Sequence, residues 1–477
     1  MKAPRLLVSA AHKSSGKTTL TLGLAAALSA RGRTVQTFKK GPDYIDPMWL
    51  ARASGRACFN LDPHLMTADE VAGLFAQGVA GADIALVEGN KGLYDGLALD
   101  GSNSNAALAH QLHAPVLLVL DARGMTRGIA PLILGYQAFD RGLHIGGVIL
   151  NQLGGARHEA KLRAVIEHYT DVPVLGALQR DDALLMPERH LGLTPVAELD
   201  DARTRVQAIA QAVAAQVDLD RVQALAETAP ALTPALRPTR PATPATPAGT
   251  GRRVRIALAR DRAFGFYYAD DLAALEAAGA TLLPFDTLHD NRLPVADGMF
   301  IGGGFPETCL RALHANAPMR AALHEAVTRG LPTYAECGGL MLLARSIRQG
   351  ELCLPMAGVI PGDVVMHARP VGRGYMQLQE TAAMPWSPPT SEPFGAHEFH
   401  HSSLENLDPG LPLAYRVQRG HGIDGRGDGI VLHKLLASYA HRRQVGADRW
   451  AERFVDFVRR ESAPRAQAPR SPARAAA

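Results

Sequence analysis

The sequence predicts two α/β domains in tandem, the first a doubly wound parallel sheet built around a phosphate-binding loop. Three observations carry this. Short apolar runs alternate with helical stretches from the start to about Arg237, as strands buried on both faces and their crossover helices do. The first run, LLVSAA, breaks into HKSSGKTT and then opens into the helix-like TLTLGLAAALSARG. A stretch rich in Pro, Thr and Ala interrupts the alternation, which then starts again.

The totals agree. A chain of 477 residues exceeds one ordinary core, and 47% hydrophobic with 20% charged residues suits a globular protein. The expected division is a first domain over 1–228, an extended linker over 229–251, a second domain over 252–460 and a disordered tail over 461–477. The net charge of +4 is spread thinly, and much of the basic excess falls in RRESAPRAQAPRSPARAAA, which reads as tail and not as a nucleic-acid stripe. Cys58, Cys309, Cys337 and Cys353 show no CxxC spacing, LLVSAA is too short for a secretory h-region, and no stretch approaches a membrane span. A cytoplasmic protein with reduced thiols, and no nucleic-acid or membrane partner, is the expectation.

Candidate strands of the first domain are 5–10, 34–40, 84–89, 115–122, 145–152 and 173–179. After the first, Ser14, Ser15, Gly16, Lys17, Thr18 and Thr19 are placed to hold phosphate. Backbone N–H groups surround it, the lysine balances charge on the outer phosphates, and the hydroxyl of Thr18 meets a magnesium ion. The usual loop has glycine five places before Gly16; here Ala11 stands there. Lys13 and His12 read equally well as solvated.

Ligands in such sheets lie at the strand C-termini, and these ends are polar. KKGPDYIDP follows the second strand and EGNKGLYDG follows the third. Each of Asp43, Asp46, Glu88 and Asp95 taken alone reads as a turn-capping carboxylate. As a set at one sheet edge they point to magnesium, with Thr18, Asp46 and Glu88 as ligands, and to substrate or phosphate, with Lys39, Lys40, Asp43, Asp46 and Asp95. Asn151, ending the fifth strand, reads either as an adenine-reading amide or as a turn former.

In the second domain RIALARD (255–261) reads as a strand, DDLAALEAAGA (270–280) as a helix, and DGMFIGGGFPE (297–307) as a strand entering a glycine-rich turn. After the helix RAALHEAVTRG, residues 331–347 read as strand, tight turn and helix, with Cys337 at the turn. A thiol there sits near a helix N-terminus with N–H groups available for an oxyanion hole, and Gly303, Gly304 and Gly338 are the candidates. A cysteine before two glycines gains this meaning only with a histidine late in the domain. His433 and His441 are available, and His441 follows the apolar run LLASYA. Cys58, Cys309 and Cys353 read as small buried or half-buried residues. The literal H-E-x-x-H at His397 to His401 lacks helical periodicity on either side and is not read as zinc-binding. Arg426-Gly427-Asp428 lies in a glycine-rich stretch and reads as a hairpin or loop.

SSGKTTLTLGLAAAL, FKKGPDYIDPMWL, ASGRACFNLD, VEGNKGLYDG, LNQLGGARH, PERHLGL, FIGGGFPE, YAECGGLMLL, HEFHHS and LLASYAH follow one another across about residues 6–441. As an ordered set they resemble the cobyrinic acid a,c-diamide synthases, glutamine-dependent amidotransferases. The resemblance implies a P-loop, dethiobiotin-synthetase-like synthetase domain followed by a class I-like glutamine amidotransferase α/β domain. By the same resemblance, Cys337 attacks the glutamine amide and His441 raises its nucleophilicity. ATP with Mg²⁺ phosphorylates a peripheral carboxylate of the macrocycle, and ammonia displaces the phosphate. L-glutamine and a corrinoid or related tetrapyrrole carboxylate are the implied partners; a homodimer stays open. Relatives of this pattern amidate cobyrinic or hydrogenobyrinic acid, sirohydrochlorin, its nickel complex or sirohaem. Ala335 and Arg443 stand where the wider class has glycine and glutamate, which fits a Cys-His dyad and leaves the group orienting His441 unnamed. A reading of another class, a P-loop switch ATPase, has no use for Cys337 and His441, and a degenerate tetrapyrrole-binding protein would not need both.

Overall fold

The computed structural model describes residues 2–189, 192–231, 252–386, 389–446 and 448–462. Most of the expected linker and nearly all of the expected tail lie outside the described residues. The chain divides into two compact units, Met1–Ala245 with Phe266–Asp270, and Thr246–Gly265 with Asp271–Ala477. No sequence signal marks the short piece at 266–270. Among the described residues no helix is long and apolar enough to cross a membrane.

The first unit holds strands β1 (Arg5–Ala10), β2 (Val35–Lys40), β3 (Phe59–Leu61), β4 (Ile84–Glu88), β5 (Val116–Asp121), β6 (Ile145–Leu153) and β7 (Val174–Gln179). All pair in parallel in the order β3-β2-β4-β1-β5-β6-β7. β1, β2 and β4 are buried along their whole length, as apolar strands covered on both faces must be. Crossovers are α1 (Lys17–Ala30), α2 (Ile45–Ser54), α3 (Ala68–Gly78), α4 (Asn105–Leu112), α5 (Ile129–Phe139) and α6 (Ala156–Tyr169). A two-stranded ribbon of β8 (Glu188–Arg189) and β9 (Gly192–Leu193) precedes α7 (Ala202–Gln216) and α8 (Leu219–Glu227). The chain leaves β1 for β2 on one side and later fills the other side with β5 to β7. The C-terminal end of β1 is therefore the switch point, where a crevice for ligand opens. β3 escapes sequence reading because it is three residues long at the sheet edge.

The second unit is built on a nine-stranded sheet from β10 (Val254–Ala259), β12 (Ala280–Phe285), β13 (Gly298–Ile301), β15 (Thr333–Glu336), β19 (Gly372–Glu380), β20 (Phe394–His400), β22 (Leu413–Arg419), β23 (Gly427–Leu432) and β24 (Leu435–Ser438). Its order is β12-β10-β13-β15-β24-β23-β22-β19-β20, parallel from β12 to β24 and antiparallel beyond. Two short strands, β11 (Phe264–Phe266) and β14 (Gly303–Gly304), pair beside it. A small sheet adds β16 (Ala344–Gln349), β17 (Leu352–Pro355), β18 (Ile360–Met366) and β21 (Ser402–Glu405). Helices are α9 (Ala269–Ala277), α10 (Leu310–Ala315), α11 (Ala317–Thr328), α12 (Gly338–Leu343) and α13 (Trp450–Glu461).

One expectation is corrected here. The helix after Cys337 does not run to Ile347: α12 ends at Leu343, and β16 begins at Ala344. The apolar run LLAR has no period to separate one from the other. The strand wins because β17 and β18 pair with it on both sides. The RGD stretch is a hairpin turn, as expected. Arg426 and Gly427 donate their N–H groups to Asp424 Oδ1, and Asp428 is buried inside β23.

Candidate active site

In the first unit the left-handed backbone of the loop falls on Ser14 (φ 62°) and Gly16 (φ 87°), so Ala11 needs no glycine-like conformation. Gly16 opens α1, and a Cβ on it would lie 2.1 Å from Asn151 Nδ2. That amide donates to Ser15 O at 2.9 Å. Asn151 thus braces the loop from β6 through this contact. Ser15 is buried and donates to His12 O at 2.8 Å, while Ser14 is exposed and Thr19 half-buried in the first turn of α1.

Around this loop the polar strand ends converge. Thr18 Oγ1 donates to Glu88 Oε1 at 2.6 Å and lies 3.4 Å from Asp46 Oδ2. The Lys39 ammonium donates to Asp46 and, at 2.7 Å, to Glu88 Oε1, and stands 3.8 Å from Asp43. Burial opposes that charge, but Asp46, Glu88 and Asp43 outweigh it and hold the Lys39 pKa well above the ordinary lysine value. Lys17 is also buried; desolvation lowers its pKa, and Glu88 and Asp95 partly oppose this. Lys40, desolvated on the same strand, is brought down to about 8 and donates to Asn90 Oδ1 at 3.2 Å. Asp43 caps α2 through the N–H groups of Ile45 and Asp46, and desolvation together with the Asp46 charge raises it to about 7. Asp95 is exposed and closes its own turn by accepting from Gly92 N at 2.9 Å.

A hard divalent cation is tested by the donors themselves. Thr18, Asp46 and Glu88 offer only oxygen, and Glu88, fully buried, keeps Oε2 without a hydrogen-bond partner. The set fits magnesium. Among the described residues no three His, Cys, Asp or Glu side chains converge as a metal site, so the fit rests on two carboxylates and a hydroxyl. Two braces were invisible in the sequence. Asn60 Nδ2 donates to Gly41 O and Asp43 O, and Asn105 Nδ2 donates to Ser9 Oγ, Asn90 O and Gly92 O. An isolated Asn carries no periodic signal.

In the second unit Cys337 sits between β15 and α12 at φ 46°, ψ −100°, a strained turn for a residue with a Cβ. Its N–H donates to Ser438 O at 2.7 Å and its sulfur lies 4.0 Å from Phe399 O. The backbones of Gly304 and Gly338 touch: a Cβ on Gly338 would lie 3.0 Å from Gly304 N. Gly303 and Gly304 form β14, and Gly338 follows Cys337 directly in the chain.

His441 hydrogen-bonds to Cys337. His433 is exposed in the turn between β23 and β24 and takes no part. His441 exchanges backbone hydrogen bonds with His397, and the two rings stack at 4.9 Å. Its Nδ1 stands 3.5 Å from Glu336 Oε2. Burial would lower the His441 pKa, but the neighbouring Cys337 and Glu336 prevail and raise it to about 10. Burial, with the neighbouring His441 and Arg443 charges, instead holds His397 well below the ordinary histidine value.

The H-E-x-x-H stretch therefore follows strand β20 from His397 to His400, with His401 just beyond its end, and no helix is formed. His397 packs on His441, Glu398 accepts from His421 N and Gly422 N, and His400 stacks on Tyr439. Asp428 accepts from Gly429 N, Tyr439 N and Ala440 N and so fixes the chain leading to His441. Arg442, buried, pairs with Asp448 and Glu380 and lies over the Phe394 ring. Cys58 is buried and Cys309 half-buried as expected, but Cys353 is exposed, because β17 is an edge strand.

Residues 7–193 match the family described as CobQ/CobB/MinD/ParA nucleotide binding domain. Residues 255–445 match the CobB/CobQ-like glutamine amidotransferase domain. Over 461 residues the chain is 46% identical to a cobyrinate a,c-diamide synthase of Magnetococcus marinus, covering 96% of this chain and 98% of the relative. Proteins of the same name from Syntrophotalea carbinolica (41% identity, 97% of this chain, 100% of the relative) and Methanosarcina acetivorans (39%, 97% of each) are similar over the same extent. The first unit is thus a nucleotide-binding domain, the second takes its amide nitrogen from glutamine, and the chain belongs to the cobyrinate a,c-diamide synthase family of carbon–nitrogen ligases.

Proposed function

We propose that this chain uses ATP and glutamine to amidate the a and c acetate carboxylates of cobyrinic acid or hydrogenobyrinic acid. Synthesis belongs to residues 1–228 and glutamine hydrolysis to residues 252–460. The observation that carries the reading is the pairing of Cys337 with His441 in a chain that also gathers Lys17, Thr18, Lys39 and Glu88 at a phosphate loop.

On glutamine, Cys337 gives its thiol proton to His441 as the sulfur attacks the side-chain amide carbon, and N–H groups of Gly304 and Gly338 receive charge on the amide oxygen. His441 gives its proton to the leaving nitrogen, so ammonia departs and a thioester remains. Water, deprotonated by the same imidazole, then attacks the thioester carbon and releases glutamate and the thiol. At the synthetase site a substrate carboxylate oxygen attacks the γ-phosphorus of ATP, releasing ADP and forming an acyl phosphate. Ammonia attacks the acyl carbon, loses a proton and expels inorganic phosphate. A carboxylate is a poor electrophile at neutral pH, which is why ATP is consumed. Lys17 and Lys39 supply positive charge as the phosphoryl group transfers, and N–H groups of residues 14–17 surround its oxygens. Thr18, Asp46 and Glu88 would hold Mg²⁺, which when bound neutralises charge between the outer phosphates.

The test is incubation with ATP, Mg²⁺, glutamine and, separately, cobyrinic acid, hydrogenobyrinic acid, sirohydrochlorin, nickel-sirohydrochlorin and sirohaem, with amides counted by mass. Two amides on either of the first two substrates is the expected result. Amidation confined to the sirohydrochlorin group overturns the substrate, and no amidation with an ATP-driven change of oligomeric state overturns the reaction.

A further inference from the structure

We propose that Glu336 is the positioning residue of the glutaminase, holding His441 through Nδ1 in place of a glutamate beyond the histidine. The inference rests on the reading of Cys337 as the nucleophile that attacks glutamine.

β15 and β24 run in parallel with Glu336 opposite Ser438, so the chain leaving β24 carries His441 past the end of β15. There the buried Glu336 puts Oε2 3.5 Å from His441 Nδ1. Its other oxygen is held independently, by the Tyr334 hydroxyl at 2.6 Å and Arg442 N at 3.1 Å. Tyr334 and Glu336 share one face of the strand. Tyr334 is in turn packed against Phe300, Trp386 and Trp450, so the carboxylate approaches the ring from a rigid support. The position two beyond His441 is Arg443, which cannot accept a hydrogen bond. The charged and titratable groups around His441 include Cys337 at the start of α12, Glu336 on β15, His397 on β20 and, two residues further along the chain, Arg443, whose charge reaches His397. Glu336 is the one carboxylate among these four, and it stands on the ring nitrogen that has to keep its proton when the other nitrogen serves the sulfur.

Glu336→Gln keeps the shape and the acceptor for Arg442 N while removing the charge. Three measurements are made on the full chain: glutamine hydrolysis, the pH dependence of iodoacetamide alkylation followed at Cys337 by peptide mass, and ammonia-supported synthesis. Glutaminase kcat is expected to fall by about tenfold or more with KM for glutamine little changed, and the alkylation midpoint to move up by about one pH unit. Ammonia-supported synthesis should stay at the wild-type rate. Unchanged kcat and midpoint overturn the proposal, as does a rise in KM alone, which would make Glu336 a glutamine ligand. If Glu336→Gln melts below the assay temperature, Tyr334→Phe frees the carboxylate, and the midpoint must shift the same way for the proposal to stand. Cys337→Ser run in parallel separates the two readings: glutamine hydrolysis that survives it removes the nucleophile assignment itself.

Discussion

The Lys39 ammonium lies 2.7 Å from Glu88 Oε1, the same oxygen that accepts from Thr18. A lysine from the second strand and the Thr18 hydroxyl, proposed to meet magnesium, thus converge on one carboxylate oxygen from the neighbouring β4. Both side chains are buried, so removing one leaves a charge that water cannot screen.

Glu88→Ala is expected to destabilise the first unit by about 3 kcal/mol, moderated by Asp46, which still pairs with Lys39. Glu88→Gln keeps a polar partner for Thr18 and should cost less stability. It should still lower synthesis by about 100-fold with either nitrogen source, because the charge needed near the transferring phosphate is gone. Thermal melts and steady-state rates separate the two effects. A Glu88→Gln enzyme of normal rate would remove Glu88 from the site.

Cys337→Ser should abolish glutamine-supported amidation and leave ammonia-supported amidation near wild type. A serine hydroxyl beside an imidazole already paired with a carboxylate is a far weaker nucleophile than the sulfur. Lys17→Ala should remove both activities, since it acts on the phosphate and not on the nitrogen donor. Rates with glutamine and with ammonium chloride decide both. Glutamine-dependent product from Cys337→Ser would overturn the nucleophile.

What the sequence made legible follows from how each feature is written in it. The strands of the first unit are buried on both faces, so each appears as an unbroken apolar run, and the phosphate loop falls between the first run and a helix. Cys337 could be named because small neighbours mark a tight turn, and His441 because it follows the last buried strand. Glu336 could not be named as a partner of His441, since the pairing of β15 with β24 that joins them is non-local. His397 was hidden for the same reason: only the backbone bridge to His441 brings the rings together. β16 reads as helix in the sequence because the run before it has no period of its own, and its identity as a strand comes from its neighbours.

Lys40 gives the first unit a pH dependence. Its ammonium, desolvated at the end of β2, loses its proton near pH 8, so the positive charge is present below that pH and lost above it. Asp62 favours the charge, while Lys91 and Lys39 oppose it. If Lys40 binds an anionic group, KM for that ligand should rise toward tenfold for each pH unit above about 8, and Lys40→Met should show a raised KM that no longer varies there. Separate KM profiles for ATP and for the macrocycle identify which ligand it meets. Parallel profiles for wild type and Lys40→Met would place Lys40 outside both.

Asn151 decides between two roles by nucleotide preference. Its amide donates to Ser15 O and fills the space beside Gly16, so the side chain supports the loop that surrounds the phosphates. Asn151→Ala removes that bond and leaves a gap against Gly16, and the loop should lose order at a cost of about 1 kcal/mol. Because phosphates are common to all nucleoside triphosphates, the loss of affinity should be equal for ATP and GTP, roughly fivefold for each. Were the amide reading the adenine edge, ATP would weaken and GTP would not. Titration calorimetry with both nucleotides on the wild type and on Asn151→Ala distinguishes these outcomes. A loss confined to ATP would return Asn151 to the base.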